Sequence, residues 1–406
     1  MEGRARGARV SSRRAPWVTL GVVVTLGAAV LAVWFARPTG APEAAPTPAP
    51  TPTPTPTPSA DPWAGWSLEQ QVGQVFMVGV SVSDPKAVST AAIRDDHVGN
   101  VFLQGRTTAG ADAVRSLVDS FTALVGPEST HSTPLLVATD QEGGEVQVLR
   151  GPGFSTIPSA LEQSSLPAAD LRAQASTWGA ELAAVGVNLD LAPVMDLVTG
   201  NPASNPPVGA LDRSYGFTAD SVTTHANAFS AGLSSAGVGV SIKHFPGLGR
   251  VTANTDDTAG VTDSVTTRDD PSVEVFKAGI AADPMSVMVS TAIYSRIDPD
   301  KPAAFSSTVV TGMLRGDLGY DGLVVTDDLS GAKQVAAWKP GDRAVLALQA
   351  GVDLVLVSKD PTVAHEMVAA VLDRARTDPA FAAQVRTAAQ RVLVAKGQWP
   401  PVSPAP

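Results

Sequence analysis

Eight carboxylates in this chain stand in or just beyond short apolar runs. Asp140 and Glu142 occur in ATDQEGG, Asp190 and Asp196 in NLDLAPVMDL, Asp256 and Asp257 in NTDD, and Asp327 and Asp328 in VVTDDLSG. Lys243 and His244 open KHFPG at the end of another such run, and Arg213 lies in DRSYG. Paired carboxylates with one lysine and one arginine suit cleavage of a glycosidic bond, where one carboxylate attacks the acetal carbon and another group moves the proton. Other chemistries lack their parts. Of the five histidines, at positions 97, 131, 225, 244 and 365, only His244 falls at the C-terminal end of an apolar run, and a zinc site needs two or three such ligands. No serine sits in Gly-x-Ser-x-Gly, no glycine-rich loop ends in Gly-Lys-Ser/Thr, and the chain has no cysteine, so neither a metal nor a cofactor is expected.

These residues need a scaffold that gathers loop ends at one face. Eight runs qualify as its strands: 74–80, 98–104, 134–140, 187–193, 238–244, 286–292, 322–328 and 352–358. They are continuously apolar rather than alternating, as strands of a parallel sheet buried on both faces are. Between them lie helical signals. Ser67-Leu68-Glu69-Gln70 fits a capping box, 111–125 has apolar residues at helical spacing, and 168–186 and 219–237 each end in glycine just before a strand. The pattern predicts an α/β fold, a (β/α)8 TIM barrel, with a doubly wound open sheet as the alternative; no Gly-x-Gly-x-x-Gly follows the first strand. A barrel places its functional residues at strand C-termini, and the polar motifs fall there.

The remainder of the chain bears on location. Of 406 residues, 44% are hydrophobic and the net charge is −10, which excludes nucleic acid as a partner because no basic surface is available for phosphates. Arg4, Arg6, Arg9, Arg13 and Arg14 precede an uncharged apolar run ending at Ala36. At roughly 20 residues the run is long enough to span a bilayer. The arginines would stay in the cytoplasm, so residues 1–37 read as a single-pass anchor with the rest of the chain outside the cell membrane. A cleaved signal peptide and secretion is the alternative. Residues 38–62 form a Pro/Thr-rich linker of extended, semi-rigid character, and 63–400 are the barrel domain.

TDQEGG, NLDLAPVMDL, DRSYG, KHFPG and DGLVVTDDLSGA occur in the order in which they occur in glycoside hydrolase family 3, and the sequence most closely resembles that family's single-barrel bacterial β-N-acetylglucosaminidases. The resemblance covers Trp63 to about Lys396. It implies a retaining exo-β-glycosidase acting on an N-acetylglucosamine-containing, cell-wall-type glycan, with β-glucosidase as an alternative. By the same resemblance Asp327 is the nucleophile, Asp140, Arg213, Lys243 and His244 hold sugar hydroxyls, and Met288 packs against the ring.

Two departures stand out. DQEGGRVQR is common in these relatives, whereas this chain has DQEGGEVQV, with Glu145 and Val148 at two basic positions; Arg150 is the one nearby arginine that could reach the same space. The relatives' KHFPGHG is followed four residues later by Asp-Ser-His, whose Asp and His form the acid/base dyad. Here Leu248 replaces the second histidine, and Asn254, Thr255 and Asp256 occupy the Asp-Ser-His places. The proton-transfer role then passes to Asp256, to Asp257 by a one-residue shift, or to a group on another loop. A further alternative is that hydrolysis is lost and a sugar-binding module remains.

Overall fold

Each of the eight apolar runs contains a strand in the computed structural model, which describes residues 63–85 and 87–398. The strands are β1 (Phe76–Ser81), β2 (Asn100–Gln104), β3 (Leu136–Thr139), β4 (Leu189–Asp190), β5 (Gly239–Phe245), β6 (Ser286–Val289), β7 (Leu323–Thr326) and β8 (Val355–Val357). All neighbouring pairs from β8 through β1 and onward to β7 run parallel. The remaining edge closes by a bridge between Val325 and Leu354, supported by Thr326 N–H donating to Leu354 O at 3.0 Å. Side chains strengthen that seam: Leu356 N–H donates to Thr326 Oγ1 and Val324 N–H to Asp353 Oδ2. The anticipated anchor and linker, residues 1–62, lie outside the described residues. Among the described residues no helix is long and apolar enough to cross a membrane.

β4 is shorter than its apolar run for a local reason. The Asn188 side chain takes over the pairing with β3, accepting from Val137 N–H at 2.8 Å and donating to Leu135 O at 3.0 Å. Three residues past the strand, Pro193 has no N–H to give to a ladder.

The anticipated helices form with their predicted ends. Ser67 and Gln70 cap Leu68–Gln74 reciprocally, and Ala111–Thr122 follows β2. Ala168–Ala184 and Ala219–Ser235 are each followed by a left-handed glycine, Gly186 at φ 84° and Gly237 at φ 82°.

Alternation along the strands sorts the side chains. Val137, Val240, Ile242 and Val324 join the layer between barrel and helices. Inside the barrel, Met77, Phe102, Leu136, Ala138, Leu189, Leu191, Met288, Leu323, Val325, Leu354 and Leu356 make an apolar floor, closed from below by Val392 of the helix Pro379–Ala395. The inward positions one step higher are those two residues past Ala138 and Val325. They are Asp140 and Asp327, so the strand period itself carries both carboxylates into the barrel mouth.

Candidate active site

A cavity of about 400 Å³ opens at this C-terminal mouth. Asp140, Arg213, Lys243, His244, Asp256, Met288 and Asp327 all line it. Asp257, the alternative proton-transfer residue, does not: its side chain is 74% exposed, and its recorded partner is Lys359, 4.0 Å away.

One wall is an ion network built from the loops after β3 and β4 and the end of β5. Lys243 Nζ lies 2.6 Å from Asp140 Oδ1 and 2.7 Å from Glu142 Oε1. Arg213 grips Glu142 with two bonds, Nε to Oε2 at 2.8 Å and Nη2 to Oε1 at 2.6 Å, and donates from Nη1 to Pro207 O. Burial pushes the Glu142 carboxyl upward, but Arg213 and Lys243 outweigh it and hold the group down at about 2. Burial opposes the charge on Lys243, and Asp140 and Glu142 more than restore it, raising its pKa. Glu142, Lys243 and Arg213 therefore stay ionised, with fixed donors and acceptors for hydroxyl groups. Glu142 is its hub, a role not assigned from sequence; its position two residues past Asp140, placing both acids within reach of one lysine, was the available signal.

His244 is oriented from behind by Asp196. Its Nδ1 lies 2.7 Å from Asp196 Oδ2, while Asp196 Oδ1 accepts from the N–H groups of His244 and Leu248. With Nδ1 engaged, Nε2 is the ring nitrogen left for the cavity. Leu248, in place of a second histidine, is a buried apolar plug.

The third group is carboxylate-rich. Asp327 caps its own turn by accepting from Asp328 N–H at 2.8 Å. Burial raises its pKa, and the nearby His244 and Lys243 oppose that rise. Asp328, at the edge of the cavity, is engaged by its own turn and the β8 loop, accepting from Ser330 Oγ and from the N–H groups of Gly331 and Ser358. Asp256 comes from the loop after β5 and is pushed up to about 6, first by burial and then by the charge of Asp327. That loop is tied to the turn after β7: Lys333 N–H donates to Asp256 O at 3.1 Å and Gln334 N–H to Thr255 O at 3.0 Å. Asn254, at the dyad's acid place, accepts from the Asp256 N–H through Oδ1 and so shapes the loop.

Two features of the loop after β3 depart from expectation. Arg150 does not reach the cavity, because its guanidinium donates to Gly144 O at 2.6 Å and Gln147 O at 3.2 Å. Glu145 and Val148 line the wall instead. Beneath them Asp190 is fully buried, accepting from Gln141 N–H on Oδ1 while Oδ2 has no partner. Burial and the neighbouring Asp140 raise its pKa to about 8 despite the Gln141 bond. A carboxyl with a raised folded pKa contributes stability that is complete below the unfolded value, about 4, and lost as pH rises toward 8. Asp190→Asn keeps the acceptor and removes the titration. Urea melts should therefore show the wild type losing roughly 1.4 kcal/mol per pH unit relative to the variant across that window; parallel pH profiles would exclude this account.

Among the described residues no three His, Asp or Glu side chains are grouped as metal ligands.

Known proteins carry the same arrangement of chain. The profile of the glycosyl hydrolase family 3 N-terminal domain matches residues 67–395. A β-hexosaminidase of Xanthomonas campestris pv. campestris (strain B100) is 32% identical over 303 residues, 73% of this chain and 87% of the relative. Among solved structures, β-N-acetylhexosaminidase from Beutenbergia cavernae DSM 12333 superposes with a TM-score of 0.81 at 61% identity, covering 82% of this chain and 98% of that one. A glycoside hydrolase family 3 β-N-acetylglucosaminidase from Paenibacillus sp. str. FPU-7 gives 0.74 at 31% identity over 82% and 62% of the two chains. With the profile spanning the barrel from the first helix cap to the helix that closes its floor, the chain belongs to glycosyl hydrolase family 3 and is a glycoside hydrolase.

Proposed function

We propose that the chain is a retaining exo-β-N-acetylhexosaminidase in which Asp327 is the nucleophile and Asp256 the acid and base. The observation that carries this reading is that the two carboxylates, from the loops after β7 and β5, line one cavity, where burial and then the charge of Asp327 raise Asp256 to about 6. A carboxyl in that range can both give and take a proton near neutral pH. In the first step Asp256 protonates the glycosidic oxygen as Asp327 Oδ attacks the anomeric carbon; the carbon–oxygen bond to the leaving group breaks and a glycosyl ester forms. In the second, water attacks that carbon, Asp256 takes its proton and Asp327 leaves as carboxylate. Asp140, Lys243, Arg213 and His244 orient the sugar hydroxyls, and Met288 in the floor supports the ring.

The relatives' names support N-acetylhexosamine as the sugar. The full-length protein should hydrolyse p-nitrophenyl β-N-acetylglucosaminide far faster than the β-glucoside and release the β-anomer first. Preference for the glucoside would make it a β-glucosidase; sugar binding without turnover of either would make it a binding module. We also propose that residues 1–37 hold the enzyme in the cell membrane with the barrel outside, where a cell-wall glycan is the available substrate. Protease treatment of intact cells should then remove the activity, and resistance would place the barrel inside.

A further inference from the structure

Lys359 stands two residues beyond β8 at the cavity wall, opposite the loop that carries Asp256. Its backbone is fixed: Asp328 Oδ1 accepts from the N–H groups of Ser358 and Lys359, and Gln104 Nε2 donates to Ser358 O at 2.5 Å. That last bond crosses over Gly79, where a Cβ would sit 2.2 Å from Ser358 O. The lysine side chain is 54% exposed. It lies along Gly331, so closely that a Cβ there would meet Lys359 Cβ, Cγ and Cδ at 2.8 Å each, and the ammonium ends 4.0 Å from Asp257 Oδ1.

Of the four charges that act most strongly on Asp256, three are of one sign. Asp327 and Asp328 face it from the β7 loop and Asp257 from its own loop, while Lys359 opposes them from the β8 loop. Lys333 contributes its backbone N–H, and its side chain is exposed. The other charged or titratable residues lining the cavity are Arg106, Asp140, Glu145, Arg213, Lys243 and His244. In the free enzyme the three carboxylates favour a protonated Asp256, which suits the first step; once Asp327 is an ester its charge is gone, and Asp328 and Asp257 are left to hinder the second.

We infer that Lys359 is a positioning residue for the double displacement: its ammonium steadies the Asp256–Asp257 segment over the nucleophile and lets Asp256 part with its proton in time to act as base. The inference rests on Asp256 being the acid and base. It accounts for how Asp256, with Asp328 and Asp257 still beside it, serves both half-reactions, since the ammonium of Lys359 acts on Asp256 in the required downward direction.

Two kinetic limbs test it in the full-length protein. Without the ammonium, Asp256 keeps its proton to higher pH, so in Lys359→Met the alkaline limb of kcat/KM on a poor leaving group should move up by about half a pH unit, less than a buried ion pair would give. With a good leaving group the second step limits turnover; Asp327 is then an ester and no longer raises Asp256, so the effect appears on the acid limb, where kcat should fall by up to about threefold, the ratio that half a unit implies. Azide attacks the glycosyl ester without a base and should relieve that fall, and Lys359→Arg should restore both limbs. Unchanged limbs in Lys359→Met, or a fall that azide does not relieve, overturn the inference while leaving Asp256 in its role. Asp256→Ala, assayed alongside, separates the two readings: without azide rescue in that variant, the Asp256 assignment fails and this inference with it.

Discussion

Asp327→Asn should lower turnover of every β-glycoside by roughly 10⁴-fold or more, with little change in KM and none in the melting temperature beyond a few degrees. The size follows from the role. No other carboxylate occupies the inward position two residues past Val325, so removing the anionic oxygen removes the bond-forming atom of the first step. Loss should be the same for good and poor leaving groups, because attack on the anomeric carbon is common to both. Stability is little affected because the Asp328 N–H bond accepted by Oδ1 can be accepted equally by an amide oxygen. Steady-state kinetics on aryl and natural glycosides suffice as the measurement. Retention of more than about one hundredth of wild-type turnover would be incompatible with a nucleophile.

The second large effect is expected at Asp256, and its signature is selectivity. Asp256→Ala should slow hydrolysis of poor leaving groups by about 10²–10⁴-fold, the usual share of a general acid. An aryl glycoside whose phenolate departs unaided should keep most of its first-step rate and accumulate the glycosyl ester. Azide should then raise turnover and yield a β-glycosyl azide, whereas water lacks its base. Asp257→Ala should do neither, since Asp257 lies outside the cavity lining. Equal losses for both leaving-group classes would remove Asp256 from proton transfer. The pH profile carries the same information: a group at about 6 places the alkaline fall of kcat/KM just below neutrality, and that fall should vanish in the variant.

Much of this arrangement was legible in the residues, and the division has a physical basis. All eight strands were readable because a parallel barrel buries both faces, leaving uninterrupted apolar runs; Asp140 and Asp327 followed from the rule that function gathers where those runs end. Glu142 and Asp196 were visible as acids but not as parts with a purpose. Their meaning depends on partners 71 and 48 residues away, Arg213 and His244. Arg150 looked available because chain proximity suggested reach. The hairpin formed by Gln141–Gly143 and Val146–Gln147 folds the loop back, and its own carbonyls take the guanidinium. Lys359 carried no signal, for a lone lysine after a strand is ordinarily a solvated surface charge.

The paired bonds from Lys333 and Gln334 to the Asp256 loop have a consequence for the native ensemble. Neither segment can depart alone without forfeiting hydrogen bonds on the other, so proton donor and attacking oxygen form one cooperative opening unit in hydrogen-exchange terms. A half-assembled centre, with one carboxylate in place and its counterpart adrift, is therefore disfavoured by the loss of both bonds, each worth about 1 kcal/mol. The amide protons of Lys333 and Gln334 become direct reporters of whether the catalytic pair is intact.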